Sequence, residues 1–149
     1  MKVTVSEEIN APRERIWSIV TDVDSWVDTI SGIVSIEVID RPESGFMGLK
    51  WRETRVLFGK EAVETMWITG VEEFHWYETR AESHGAIYKT RISLDDSNGK
   101  IAITMVFSSR PVTIGAKLMS VMGFLFKGTM KKFLQEDLAD IRAAAERST

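Results

Sequence analysis

The sequence predicts an α+β fold, with seven antiparallel strands followed by a long C-terminal helix. Three observations predict it. An alternating strand at the N-terminus leads into two short amphipathic helices. From residue 33 to 110 the apolar residues follow a strand period, interrupted by glycines and acidic residues. After Arg110-Pro111 the apolar spacing becomes that of a helix.

Length and composition limit the classes of protein that are possible. At 149 residues the chain can bury one substantial core, so we expect a single domain over 1–149. The formal net charge of −3 gives no pull toward nucleic acid. The absence of cysteine excludes disulfides, thiolate catalysis and cysteine metal sites. With no signal-peptide pattern and no long apolar run, the sequence predicts a cytoplasmic protein without a transmembrane segment.

The first thirty residues predict one strand and two helices. Val3, Val5 and Ile9 alternate with polar residues, as in a strand with one buried face. Pro12 fits the first turn of a helix over 12–21, with Asn10 as its cap. The apolar spacing from Val23 to Ile30 then predicts a second short helix, which ends before a glycine.

Six further strands are expected between residues 33 and 108. Their ranges are 33–40, 48–58, 62–69, 74–81, 86–94 and 101–108. The short connections between them are typical of antiparallel hairpins. From Ile114 to Ile141 the apolar residues form a broad helical face of about thirty residues, which corresponds to a helix of about 45 Å. Glycines weaken its first half, and we expect a bend near Gly123.

Two stretches resemble a known superfamily. Ile9-Asn10-Ala11-Pro12 leading to Ile16-Trp17, Asp22 and Trp26 is similar to its N-terminal signature. Trp51-Arg52-Glu53-Thr54-Arg55 with Gly59-Lys60-Glu61 resembles a strand-turn-strand of its bacterial members. Over essentially the whole chain, the sequence resembles the START-like or birch-allergen-like superfamily (SRPBCC), which includes the polyketide cyclase/dehydrase group. The resemblance implies a helix-grip fold, in which the sheet curves around the long helix and leaves a cavity between them.

The C-terminal helix would contribute an adaptable apolar wall to that cavity. Methionine and phenylalanine suit a pocket that refits around different ligands. The residues expected to face the cavity are Leu118, Met122, Leu125 and Phe126. The alternative is that these side chains only fill the core.

The third and fourth strands carry charges where a sheet interior is expected. A two-residue turn at Gly59-Lys60 would set Arg55 opposite Glu64 and Glu53 opposite Met66, on the same face as Trp51. We predict that this face lines the cavity, because the opposite face would bury more unpaired charge. There the charged groups could orient the polar head of a ligand or act as acid or base.

The remaining candidates come from the last three strands. The four-residue link after residue 69 leaves the orientation of the fifth strand open, and we place Trp76 and Glu78 inside. Tyr88 and Met105 complete the predicted ligand-binding set. The alternative is that the charged residues form cross-strand salt bridges without a chemical role.

Three functions are compatible with these patterns. The leading hypothesis is a carrier that binds a small hydrophobic or amphipathic ligand, such as a lipid, polyketide or isoprenoid-like compound. The second is a cyclase or dehydratase in which Glu53, Glu64 or Glu78 abstracts a proton and Arg55 stabilises the enolate. The third is a regulator that binds another protein, as chaperone-modulating relatives of the superfamily do; it predicts a small, filled cavity.

Cofactors and large partners have no sequence support. No phosphate-binding loop or dinucleotide fingerprint is present, and the two histidines, at 75 and 84, lack acidic residues at ligand spacing, so no cofactor or metal is expected. The apolar stretch 114–126 is too short to span a bilayer but could touch one transiently. The expected oligomeric state is a monomer or homodimer.

Overall fold

The computed structural model describes residues 1–57, 59–83, 85–114 and 123–147, with the side chains of the C-terminal helix described from Lys127. A seven-stranded antiparallel sheet forms the body of the fold, in the order β1-β7-β6-β5-β4-β3-β2. Its strands are β1 (Lys2–Ile9), β2 (Ile33–Asp40), β3 (Lys50–Leu57), β4 (Lys60–Glu72), β5 (Trp76–Ser83), β6 (Ala86–Ser97) and β7 (Lys100–Pro111). The predicted α+β helix-grip fold is confirmed.

The helices also follow the predicted order. Helix α1 (Arg13–Val20), a 3-10 turn (Val23–Ser25) and α2 (Trp26–Thr29) lie between β1 and β2, and α3 (Gly123–Glu146) follows the sheet. The bend expected near Gly123 depends on residues outside the described ranges. Among the helices that the structure describes, none is long and apolar enough to cross a membrane.

The predicted cap of α1 is wrong. Pro12 occupies the N-cap position, with φ −62° and ψ 146°, and makes no side-chain capping bond. The backbone N–H of Asn10 instead donates to Glu146 Oε2 of α3, at 2.9 Å. The start of α1 is therefore tied to the end of the last helix.

The core lies between the inner face of the sheet and the helices. Ile9, Ile16, Ile103 and Leu138, from four different elements, are at most 1% exposed. Burial of such side chains stabilises the fold by about 1.5–3 kcal/mol each. This packing holds α3 against β1 and α1.

Arg15 of α1 fixes the C-terminal end of α3. Its guanidinium donates to the carbonyl oxygens of Ala144, Ala145 and Arg147, at 3.3, 2.7 and 3.1 Å. The last carbonyls of a helix have no partner within the helix, so these bonds satisfy groups that would otherwise need water. The contact supplies hydrogen bonds as well as apolar packing between the two helices.

The register of β3 against β4 differs from the predicted one by two residues. Leu57 pairs with Lys60, so Glu53 lies opposite Glu64 rather than opposite Met66. The connection consists of residues 58 and 59, and Gly59 has the positive φ of +77° that favours glycine in a two-residue hairpin loop. Because the shift is an even number of residues, the predicted inner face is unchanged.

A bulge in β4 reverses the predicted orientation of β5. Ile68 pairs with Thr79 but Gly70 pairs with Glu78, so β4 contains one extra residue at this point. Unbroken alternation from Ile68 to the end of β4 would have turned Trp76 inward. The placement of Trp76 and Glu78 inside is therefore wrong.

The residues that face the core from β5 are the alternate set. Tyr77, Thr79 and Ala81 are buried there, at 6, 8 and 3% exposure. On the outer face the Trp76 ring lies under the Arg91 guanidinium, 3.9 Å from the ring centroid, and its indole N–H donates to Glu72. These contacts give Trp76 a structural role outside the core.

Candidate functional site

A cavity of about 310 Å³ lies between the inner face of the sheet, the α1–α2 segment and α3. Most of its described walls are apolar. Its apolar lining consists of Ile19, Val20, Trp26, Ile30, Ile33, Trp51, Leu57, Ala62, Met66, Ala81, Ile92, Met105, Phe107, Met130, Phe133, Leu134 and Ile141. The volume lies at the lower end of the range of small-molecule sites.

The structure brings seven of the predicted site residues to this cavity: Trp51, Glu53, Arg55, Glu64, Met66, Tyr88 and Met105. Trp76 and Glu78 do not line it, because β5 has the opposite orientation. The side chains of Leu118, Met122, Leu125 and Phe126 lie outside the described residues. A ligand-binding role for the seven stays a prediction.

The polar end of the cavity is organised around Arg55. Its Nε donates to Glu53 Oε2 at 2.6 Å. Its Nη1 and Nη2 lie 3.0 Å from Asp137 Oδ1 and Oδ2, which makes a bidentate pair with α3. The indole Nε1 of Trp51 donates to the other oxygen of Glu53 at 3.3 Å. We call Glu53, Arg55 and Asp137 the Arg55 cluster.

Burial governs the electrostatics of the Arg55 cluster. The side chains of Glu53 and Asp137 are only 8 and 11% exposed. Burial raises the pKa of Asp137, and the attraction of Arg55 offsets only part of that rise. For Arg55 the balance is the reverse: burial lowers its pKa, but the charges of Glu53 and Asp137 together outweigh burial and raise it.

Two tyrosines bring hydroxyl groups to the same cavity. Burial, reinforced by Glu53 and Asp137, raises the pKa of Tyr77. Burial and then Glu64 raise the pKa of Tyr88. Both hydroxyls are therefore protonated at neutral pH and can donate or accept a hydrogen bond.

Sequence reasoning missed Asp137 and Tyr77. Asp137 lies four residues after Phe133 and four before Ile141, so it interrupts the apolar face of α3. A carboxylate in the middle of an apolar helical stripe is a detectable signal, because buried carboxylates need a partner. Tyr77 had no comparable signal, since its inward orientation depends on the bulge in β4.

The arrangement combines an apolar chamber with one strongly polar wall. Glu53 and Glu64 lie directly opposite each other on neighbouring strands, a like-charge pair that costs stability unless other groups compensate it. Polar and apolar walls together can orient an amphipathic molecule, with its hydrocarbon part in the chamber. A buried carboxyl with a raised pKa can also give or take a proton.

Solved structures with the same fold come from several bacteria. A START superfamily protein from Mycobacterium smegmatis has a TM-score of 0.79 at 16% identity, covering 97% of each chain. The Zhui aromatase/cyclase from Streptomyces sp. R1128 has a TM-score of 0.75 at 13% identity, covering 99% of this chain and 94% of that one. The protein TTHA0849 from Thermus thermophilus has a TM-score of 0.72 at 15% identity, covering 98% of this chain and 100% of that one. At such identities the likeness shows the fold alone.

The family assignment comes from the sequence itself. A search among curated proteins finds none that matches the chain. Residues 1–146 match the family model described as polyketide cyclase / dehydrase and lipid transport. The expected superfamily is thereby confirmed. The chain belongs to the polyketide cyclase / dehydrase and lipid transport family, within the START-like superfamily.

Proposed function

We propose that this protein is a carrier that binds one small amphipathic molecule in the cavity between the sheet and α3. The observation that carries the proposal is that the described residues enclose a chamber of about 310 Å³, mostly apolar, with the buried ion pairs of the Arg55 cluster in its wall. A filled interior would have favoured the protein-binding regulator. The family description, which includes lipid transport, agrees with a carrier.

The packing of the chamber supports binding of a flexible apolar chain. Met66, Met105 and Met130 line it from two strands and from α3. Unbranched thioether side chains change rotamer easily and adapt to ligands of different shape. The ligand would lie with its hydrocarbon part among these residues and its polar group toward Arg55.

Native mass spectrometry of the freshly purified protein tests the carrier proposal. We expect a co-purified molecule that is released on denaturation and is chemically unchanged. In parallel, the uncharged fluorescent probe N-phenyl-1-naphthylamine should bind with one-to-one stoichiometry. A protein that carries no molecule and leaves this probe unbound would contradict the proposal.

A cavity-filling substitution tests whether the probe binds in the chamber. Ala81 lines the chamber and is 3% exposed, so Ala81→Leu should reduce probe affinity by adding volume there. The matched control is Ala102→Leu on β7, where Ala102 lies on the other face from the buried Ile101 and Ile103. Equal probe binding by the two variants would mean that the probe binds elsewhere.

An enzyme of the cyclase or dehydratase class is the second candidate. The observation that favours it is the buried carboxyl of Asp137, whose pKa is raised beside a guanidinium in the cavity wall. Glu53 and Glu64 remain candidate bases, whereas Glu78 lies outside the cavity. An aromatase/cyclase also shares the fold.

Isosteric variants separate the two candidates. For a carrier, Glu53→Gln and Glu64→Gln keep most of the affinity for the co-purified molecule. For an enzyme, at least one of them abolishes the conversion of a poly-β-ketone substrate while binding persists. Conversion that survives in both variants would exclude Glu53 and Glu64 as the base.

A further inference from the structure

The charge of Arg55 is already neutralised inside the protein. Three of the five N–H groups that a guanidinium offers are bonded to Glu53 and Asp137. Two carboxylates share this one cation. A ligand carboxylate would have to compete with both of them at a distance where the repulsion between like charges is strong.

The charge of Arg80, the other guanidinium in the cavity wall, is also offset by a carboxylate, although its Nε is buried without a hydrogen-bond partner in the described part of the chain. The Nη2 of Arg80 lies 2.7 Å from Glu82 Oε1. Glu82 is half-exposed and neighbours the inward-facing Ala81, so it lies on the outer face of β5. Among the described lining residues, both guanidinium groups are therefore paired with carboxylates.

After burial, which is the main cause of the raised pKa of both cavity tyrosines, neighbouring carboxylates oppose negative charge there as well. The nearby carboxylates that oppose ionisation of their hydroxyls are Glu53 and Asp137 for Tyr77, and Glu64 for Tyr88. The carboxylates that repel a negative charge on a tyrosine would also repel a negatively charged ligand group at the same place. The oxygens of these residues are acceptors, which suit a ligand that brings hydrogen-bond donors.

We propose that the cavity selects amphipathic ligands whose polar group is a hydrogen-bond donor without negative charge, an alcohol or an amine, and rejects carboxylates such as free fatty acids. This inference rests on the proposed carrier function and specifies its ligand class. The polar group of the ligand donates to the carboxylate oxygens of the Arg55 cluster, and its alkyl chain occupies the chamber.

Three ligands that differ only in the head group provide the test. Decanol, decylamine and decanoate compete with bound N-phenyl-1-naphthylamine at pH 7.5, each below its aggregation threshold. We expect decanol and decylamine to displace the probe at concentrations at least roughly tenfold lower than decanoate. Decanoate that binds as well as decanol, or better, would overturn the inference and leave the carrier proposal intact. Failure of the probe and all three compounds to bind would instead overturn the carrier proposal.

Variants that remove one charge test which residues cause the preference against a carboxylate head group. Glu53→Gln keeps the side-chain shape and releases Arg55 from one of its two carboxylates, so the tenfold disadvantage of decanoate should shrink or reverse. Glu37→Gln is the matched control: it removes a carboxylate that is also paired with an arginine, Arg52 on the same strand as Arg55, but neither side chain lines the chamber, and the ranking should persist. An unchanged ranking in a folded Glu53→Gln variant would contradict the assigned site. If that variant does not fold, the wild-type ranking and Asp137→Asn decide the question.

Discussion

Arg55 and Asp137 lie 82 positions apart in the sequence and form a bidentate ion pair, with two N···O distances of 3.0 Å. The pair joins β3 to α3 at the polar end of the cavity. Planar guanidinium and carboxylate groups match in this geometry, so the pair fixes orientation as well as distance. The same contact therefore sets the position of the helix and the chemistry of the site.

Removing the shared cation should destabilise the protein strongly. Arg55→Met leaves Glu53 and Asp137 buried without their counter-charge, and we expect a loss of about 3–5 kcal/mol in the free energy of unfolding at pH 7. The difference from wild type should become smaller as the pH is lowered, because protonation of Asp137, whose pKa burial raises, removes one of the two uncompensated charges. Urea unfolding followed by circular dichroism at pH 5 and 7 measures both effects.

Arg52→Met is the control for this experiment. Arg52 is on the same strand and also forms an ion pair, with Glu37 at 2.9 Å, but both side chains are largely exposed. Exposed pairs contribute about 0–1 kcal/mol. Equal losses in the two variants would show that burial does not determine the contribution of Arg55.

Asp137 should make stability depend on pH with a defined sign. Burial raises its pKa in the folded protein above the ordinary value of 3.8. The folded state then holds this proton more tightly than the unfolded state, so the contribution of Asp137 is greatest below pH 3.8 and is lost as the pH rises through the raised pKa. Asp137→Asn removes the titration. The stability of wild type relative to Asp137→Asn should fall with increasing pH across this window, and a rise would contradict the assignment.

Alanine substitutions at two glycines should change the stability of the protein in opposite directions. Gly59 has φ +77° and open space around its Cβ position, so Gly59→Ala costs only backbone strain, about 1 kcal/mol. Gly128 in α3 also has open space, without a positive φ. Gly128→Ala should therefore stabilise by about 0.5–1 kcal/mol through helix propensity. Thermal unfolding of both variants checks the signs.

The bulge in β4 predicts a steric effect at Gly70. A Cβ added there would lie 2.9 Å from Cζ3 of Trp76, so Gly70→Ala must displace the indole from its contacts with Arg91 and Glu72. Overpacking of this kind costs about 1–3 kcal/mol. The Gly70→Ala, Trp76→Leu double variant should recover part of the loss, and additive losses would show that the ring is not the obstacle.

Local patterns predicted most of the fold. Alternation and glycine punctuation predicted the seven strands, and an even shift in register left Glu53, Arg55 and Glu64 on the inner face. The orientation of β5 could not be predicted, because one extra residue in β4 reverses it without a distinct sequence signal. The partner of Asp137 could not be predicted, because Arg55 is distant in sequence. The position of Asp137 within an apolar stripe does indicate a buried carboxylate that needs a partner.

A second, smaller cavity of about 130 Å³ shares Arg55 and Asp137 with the larger one, and its other walls include the exposed side chains of Val56 and Glu136. The ion pair therefore lies between the two cavities and contributes to the wall of each. A ligand that covers its inner face leaves the outer face within reach of the surface. For the proposed carrier, protons can therefore exchange with Asp137 from that side while the chamber is occupied, so ligand loading and titration of the polar wall are separable events.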